Sequence, residues 1–497
     1  MHRRKFLRTG LGTTLALASD RASARSSRET PASKLGKRTG SGMSAYFGDY
    51  TYSGSTTPAL VVELGKPWKF VCWADAQYVP FWDIDGVWVT TEWFETLGTK
   101  TPYDFEPISD KKLRYTSVEI LEIGPARAVV HWRYALCDTR PEARIFHDNT
   151  TAEEFHTIYP DGVTVRKVVG YPGNGEPREG QPKMWEVGEL LLVLPQGSQL
   201  LEVLGQDGVK ISNIAGDSYQ HRFSSYAVAT IDFEQPNLAD SIRRLCQVHP
   251  PSREWTEFIW QGGLRDRPEP FVVVPNKQEW FPHARCRTCG GDHPETSLVQ
   301  WLAIWKHFPQ WSGDEYHIGI PATEADLARR SVSLSYLFVD PWVHPVAASN
   351  PSPSLPFDPQ WNPPRGTTWL LLYGVNPGDT DHPRRLAASW LHPGEVKTLA
   401  GRYLGYEPAE RAYRFQATGY RVDFELAPAP GLGQINPVVV VEDWAYGNPK
   451  ISLGRGELPV GSYKASRARN RLVVWFEAEI KNLTPISIEG RTEAPVL

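Results

Sequence analysis

Residues 153–171 read EEFHTIYPDGVTVRKVVGY, two β-branched and aromatic runs on either side of Pro160-Asp161-Gly162. Asp-Gly between such runs is a strong hairpin signal. With Asp161-Gly162 as a two-residue turn, Tyr159 pairs with Thr164 and Thr157 with Arg166. Period-two alternation then sets Tyr159, Thr157, Thr164 and Arg166 on one face. A tyrosine beside an arginine suits β-elimination at a uronate. A cation neutralises the sugar carboxylate, the neighbouring proton becomes removable, and a tyrosine can protonate the leaving oxygen. The plainer alternative is a solvated face on which Arg166 pairs with a carboxylate. A one-residue shift of register would bring His156 and Lys167 to that face instead, which makes His156 an alternative base.

A second group is His283, Cys286, Cys289 and His293, a C-x2-C flanked by histidines. Four such ligands within one short loop suit tetrahedral zinc. The rival readings are a local Cys286–Cys289 disulfide and free thiols. A zinc with four protein ligands has no open position, so it would brace the loop rather than react. Just beyond stand Trp301, Trp305, His307, Phe308 and Trp311. His307 is a candidate base beside a stacked sugar ring, although a lone histidine among tryptophans is more often packed and satisfied.

A third group spans residues 68–95. Trp68, Trp73, Tyr78, Phe81, Trp82, Trp88, Trp93 and Phe94 are interleaved with Asp75, Gln77, Asp83, Asp85, Glu92 and Glu95. Pyranoses offer apolar C–H faces and a rim of hydroxyls, which indole rings and carboxylates or amides can grip. Each tryptophan taken singly reads as core. The cluster as a whole is expected to leave at least two exposed in a cleft, with Trp73, Gln77, Trp82, Asp83, Glu92 and Trp93 as substrate contacts.

The elements that must position these groups are strands. Residues 126–136, 190–194, 271–274, 332–339, 369–375, 420–426 and 472–476 all have strand composition. No period of 40 to 50 residues marks a propeller. The expected fold is all-β, a large antiparallel sandwich with a few short helices. One helix is expected at PRRLAASWL, residues 383–391, stopped by His392-Pro393-Gly394. Between Pro341 and Pro364 prolines are too frequent for a helix or a central strand. The main sandwich is therefore placed at 43–340, a proline-rich loop or linker at 341–364 and a smaller β part at 365–490, either separate or completing the same sheets.

With Lys+Arg 53 and Asp+Glu 57 in 497 residues, the chain has no basic footprint for nucleic acid. No apolar run is long enough to span a bilayer. Arg3-Arg4 followed by Phe6-Leu7, a modest apolar stretch and Ala22-Ser23-Ala24 have the form of a twin-arginine signal peptide over residues 1–24. Residues 25–42 read as a disordered linker. The expected location is the periplasm or the exterior. Five cysteines do not describe a disulfide scaffold.

The hairpin at 153–169, the run SWLHPGEVKTLAGRYLGYEPAERAYRF (389–415) and INPVVVVEDW (435–444) resemble galactose-mutarotase-like super-sandwich proteins. In particular they resemble exported lyases of uronate-containing polysaccharides, of which ulvan is one. The resemblance covers most of residues 46–480. It implies an all-β super-sandwich and an acidic polysaccharide partner, with Tyr159 as acid, Arg166 as carboxylate neutraliser and His307 as base. The related proteins carry an asparagine before that histidine, where this chain has Lys306. The Cys286–His293 loop is not part of the resemblance. Two other functions fit the same residues: a glycoside hydrolase using Glu92 and Asp83, and a glycan-binding protein without catalysis.

Overall fold

The computed structural model describes residues 42–52, 54–91, 93–97, 104–110, 112–138, 150–171, 184–193, 203–221, 257–275, 300–303, 333–340, 367–376, 378–454, 456–459, 461–468 and 470–490. Within them the chain is an all-β protein. Eleven strands form one sheet and nine form another, with every pair in both antiparallel. The strands foreseen from composition are present, and so is the helix, at His382–Leu391.

Local sequence explains these elements. Ala128–Ala135 buries Val130, Trp132 and Tyr134 on one face and sets His131 and Arg133 on the other. The helix starts with Pro383 in its first turn and is anchored there by Arg384, whose fork donates to both oxygens of Asp381. Its buried side, Leu386, Ala387 and Trp390, faces the nine-stranded sheet and the C-terminal part.

The layers stack in order. Phe70, Trp82 and Val89 of the eleven-stranded sheet meet Val130, Trp132, Trp260 and Trp369 of the nine-stranded sheet. Each fully buried Val or Phe there contributes about 1.5–3 kcal/mol. The far face of the nine-stranded sheet, with Tyr159, Val163, Val165 and Leu372, packs on the helix and on Val438, Val440 and Trp475. Beyond lies a smaller sandwich of two five-stranded sheets closed over Phe415, Phe424, Trp444 and Ile488.

The part after residue 365 contributes its first strand to the large sheets. Strand Thr367–Asn376 lies between Glu269–Pro275 and Val163–Tyr171 inside the nine-stranded sheet. The smaller sandwich therefore begins after Asn376, past the His382–Leu391 helix. The reason is that Thr367–Asn376 is an almost wholly buried apolar strand, which needs neighbours on both sides.

Candidate functional site

The hairpin forms, but with a three-residue loop. Tyr159 N–H donates to the Val163 carbonyl at 2.9 Å, and Gly162 N–H donates to the Tyr159 carbonyl at 3.0 Å. Gly162 has φ +86°, the left-handed residue that closes such a loop. The register is accordingly His156↔Arg166, Thr157↔Val165 and Ile158↔Thr164. The expected pairing of Thr157 with Arg166 is corrected by one residue, and one residue reverses the face. Arg166 and His156 point between the two large sheets. Tyr159 and Thr157 point the other way, together with Lys167.

On the inner face Arg166 is fully buried and fully engaged. Its Nε and Nη2 donate to the two Glu154 oxygens, both at 2.7 Å, and Nη1 donates to the Thr91 carbonyl at 2.7 Å. Tyr134 adds a donor to Glu154 at 2.7 Å and itself accepts the Phe94 N–H at 2.8 Å. His156 stands with Nδ1 3.0 Å from the Tyr373 hydroxyl and Nε2 3.2 Å from Glu154. Burial pushes the Glu154 pKa upward, but the Arg166 charge and the hydrogen bonds from His156 and Arg166 outweigh it and hold the group at about 2. Burial lowers the His156 pKa, so the ring is neutral. A guanidinium whose fork is filled by Glu154 cannot neutralise a sugar carboxylate, so the expected role of Arg166 does not fit its place.

Tyr159 is buried as well. Its hydroxyl donates to the Glu410 carbonyl, and burial pushes its pKa up to about 12, against the pull of Arg127 and Arg411. Arg411 lies 4.8 Å from the Tyr159 ring centroid and donates to Asp161 at 3.2 Å. Asn436 donates to the same Asp161 oxygen at 2.9 Å. Both partners hold left-handed backbone, φ 46° and 44°. The hairpin turn is thus a latch between the large and small sandwiches rather than an acid poised over substrate.

Beside this latch is a groove of about 570 Å³. Its floor is the outer face of the nine-stranded sheet, with Val129, Phe155, Thr157 and Lys167. Its wall is the short turn Pro408–Glu410 of the smaller sandwich, with Arg471 beyond. Arg127 closes one end. It binds Glu122 through two donors at 2.9 and 2.8 Å and Glu410 at 2.9 Å. Glu410 also takes Arg471 at 3.0 Å. Burial works to raise the Glu410 pKa, and the two guanidiniums outweigh it, so the group stays an anion.

Along the outer face of the sheet runs one straight row, of which Phe155 and Lys167 line the groove. Pairing places Glu119 opposite His131, His131 opposite Phe155, Phe155 opposite Lys167, and Lys167 opposite Leu370. His131 and Phe155 stack with centroids 4.6 Å apart and planes 8° apart, and His131 Nδ1 lies 2.9 Å from Glu119. Lys167 Nζ reaches over Phe155 at 5.8 Å. Sequence reasoning missed Phe155 as a contact. Reading Tyr-Pro-Asp-Gly as a type I turn closed by a left-handed glycine would have found it.

The remaining sequence candidates fall in two sets. Trp73, Trp82, Trp88 and Trp93 are buried, which corrects the expectation of an exposed cleft. Trp82 and Trp93 belong to the core between the large sheets. Trp73 packs edge-on against Tyr50 and Trp88 on the opposite side of the eleven-stranded sheet. Asp83 accepts from the Tyr50 hydroxyl and from Gly86 N–H, both at 2.9 Å. Gln77, in left-handed backbone, offers its carbonyl to Trp132 at 3.2 Å. These are the contacts of structural polar groups. The second set, Glu92, His283, Cys286, Cys289, His293 and His307, lies outside the described residues. Among the described residues no group of three or more His, Cys, Asp or Glu is placed to hold a metal ion.

The described chain is therefore an all-β protein of stacked, mostly antiparallel sheets with a charged groove at the seam of two sandwiches. No protein-family model and no curated protein sequence matches it. Among solved structures it is similar to a galactose 1-epimerase from Lactobacillus acidophilus NCFM, at 9% identity and TM-score 0.27, over 68% of this chain and 99% of that one. It is also similar to the chondroitin AC lyase of Streptomyces coelicolor A3, at 9% identity and TM-score 0.26, over 87% of this chain and 48% of that one. A further polysaccharide lyase gives 10% identity and TM-score 0.21, over 92% and 48%. The chain spans about half the length of those two lyases. All three are loose likenesses of shape, and no residue role is carried over from them.

Proposed function

We propose that this chain is an exported carbohydrate-active protein that seats an acidic polysaccharide in the seam groove, and that its reaction is β-elimination at a uronate. The observation that carries the reading is the groove. Its volume of about 570 Å³ is that of a ligand site, and its floor combines an apolar aromatic side chain, Phe155, with the ammonium of Lys167. The sequence resemblance of residues 389–415 and 435–444 to uronate-polysaccharide lyases supports elimination, with His307 as the proposed base. Hydrolysis fits the groove less well. It needs a protonated carboxylic acid, and Glu410 is held as an anion by two guanidiniums.

A second reading, binding without turnover, has its own support. The described lining of the groove contains no histidine or tyrosine. Incubating the full chain with polygalacturonate, alginate, chondroitin sulphate and ulvan separates these cases. Ultraviolet absorbance of an unsaturated uronate establishes a lyase. New reducing ends without that absorbance establish a hydrolase. Retarded migration in a glycan-loaded gel with neither product establishes a binding protein, and no interaction with any of the four overturns the groove as a glycan site.

A further inference from the structure

We infer that Lys167 is the group that reads the sugar carboxylate, and so sets the preference for an acidic over a neutral glycan; this rests on the groove being the glycan site. The described lining of the groove has three cations, and two are already committed. Arg127 is held by Glu122 and Glu410, and Arg471 by Glu410 and Glu442. An incoming carboxylate would meet at either one a guanidinium whose charge is already paired with two carboxylates. Lys167 has no carboxylate partner among the described residues, and its recorded neighbour is the Phe155 ring at 5.8 Å. Register makes this geometry fixed. Phe155 and Lys167 are direct cross-strand partners, and His131 packs flat on Phe155 from the other side, which limits the ring's freedom. A pyranose seated against the side of Phe155 that lines the groove therefore has its rim within reach of a compact ammonium. A lysine is suited to that task, since it meets a carboxylate as a point charge from many directions.

The test compares polygalacturonate with the same polymer after carboxyl reduction, using the full chain and measured dissociation constants. The unmodified protein should prefer the acidic polymer. Lys167→Gln should weaken binding to polygalacturonate about tenfold, the scale of one charge-assisted hydrogen bond. It should leave binding to the reduced polymer unchanged, and Lys167→Arg should restore acidic binding. Melting temperatures close to that of the unmodified protein show that each variant is folded, as expected for a half-buried surface position. If Lys167→Gln binds polygalacturonate as tightly as the unmodified protein does, the role of Lys167 is overturned while the groove stands. If the unmodified protein binds neither polymer, the groove reading falls and the inference with it.

Discussion

Tyr159 and Arg166 share one hairpin yet lie on opposite faces of the nine-stranded sheet, the tyrosine in the seam between sandwiches and the arginine between the two large sheets. Within the hairpin strands, the cation on the tyrosine's face is Lys167. Each side of the hairpin therefore makes a separate claim that mutation can test.

On the inner side, Arg166→Met should destabilise the fold by about 3–5 kcal/mol, because it leaves Glu154 as a buried carboxylate without its guanidinium. Replacing both residues, with Glu154→Leu beside Arg166→Met, should recover much of the loss. Chemical denaturation of the two proteins gives the comparison. A single Arg166→Met variant as stable as the parent would mean that the pair is not what holds this region together.

Acid should weaken the fold in two stages. His156 has a folded-state pKa below its ordinary value of about 6.5, so the unfolded chain binds the proton more readily. Its contribution is full above that value and is lost as pH falls toward the lower folded pKa. Glu154 is held at about 2, below the usual carboxylate range of about 4.3. Its contribution is full above about 4.3 and is lost as pH falls through about 2. His156→Gln should flatten the upper stage and leave the lower one. Stability measured at successive pH values would show an unchanged upper stage if the histidine is not responsible.

In the seam, Asp161→Ala removes the acceptor shared by Arg411 and Asn436. Arg411 is only 3% exposed, so the change should cost about 3 kcal/mol and loosen the two sandwiches from one another. Calorimetry should resolve one transition into two. A single transition at the original temperature would remove the turn's claim to be the latch.

In the groove, Phe155→Ala should weaken glycan binding about tenfold, on acidic and carboxyl-reduced polymers alike, because the apolar contact serves both. That pattern differs from the charge-selective loss expected at Lys167. Retention of binding to both polymers would place the sugar elsewhere.

For export, Arg3→Lys with Arg4→Lys should strand the precursor in the cytoplasm, since the paired arginines are what the twin-arginine machinery reads. Fractionation of cells expressing the full chain reports this directly, and normal release of the variant would point to another route.

Much of the architecture was legible because strands and helices obey local rules. His382–Leu391 and the strand at Arg471–Phe476 coincide closely with the segments marked by composition and by the His-Pro-Gly stop. The site was less legible for two physical reasons. A loop one residue longer than assumed moved Arg166 to the other face, and alternation alone cannot reveal that error. The groove also joins remote segments: Arg127 and Glu410 are 283 positions apart. The tryptophans of residues 73–93 were misjudged because period-two patterning shows that a strand has two apolar faces but not what covers the second one.

The central place of Thr367–Asn376 has a consequence for synthesis. Until that segment leaves the ribosome, the strands at 163–171 and 269–275 each lack a neighbour. More than three hundred residues of β-forming chain must then wait with two unpaired edges, which are templates for aggregation. A fragment ending in the proline-rich stretch should be insoluble rather than a smaller folded domain, and the nascent protein is expected to depend on holding factors until its last quarter is made.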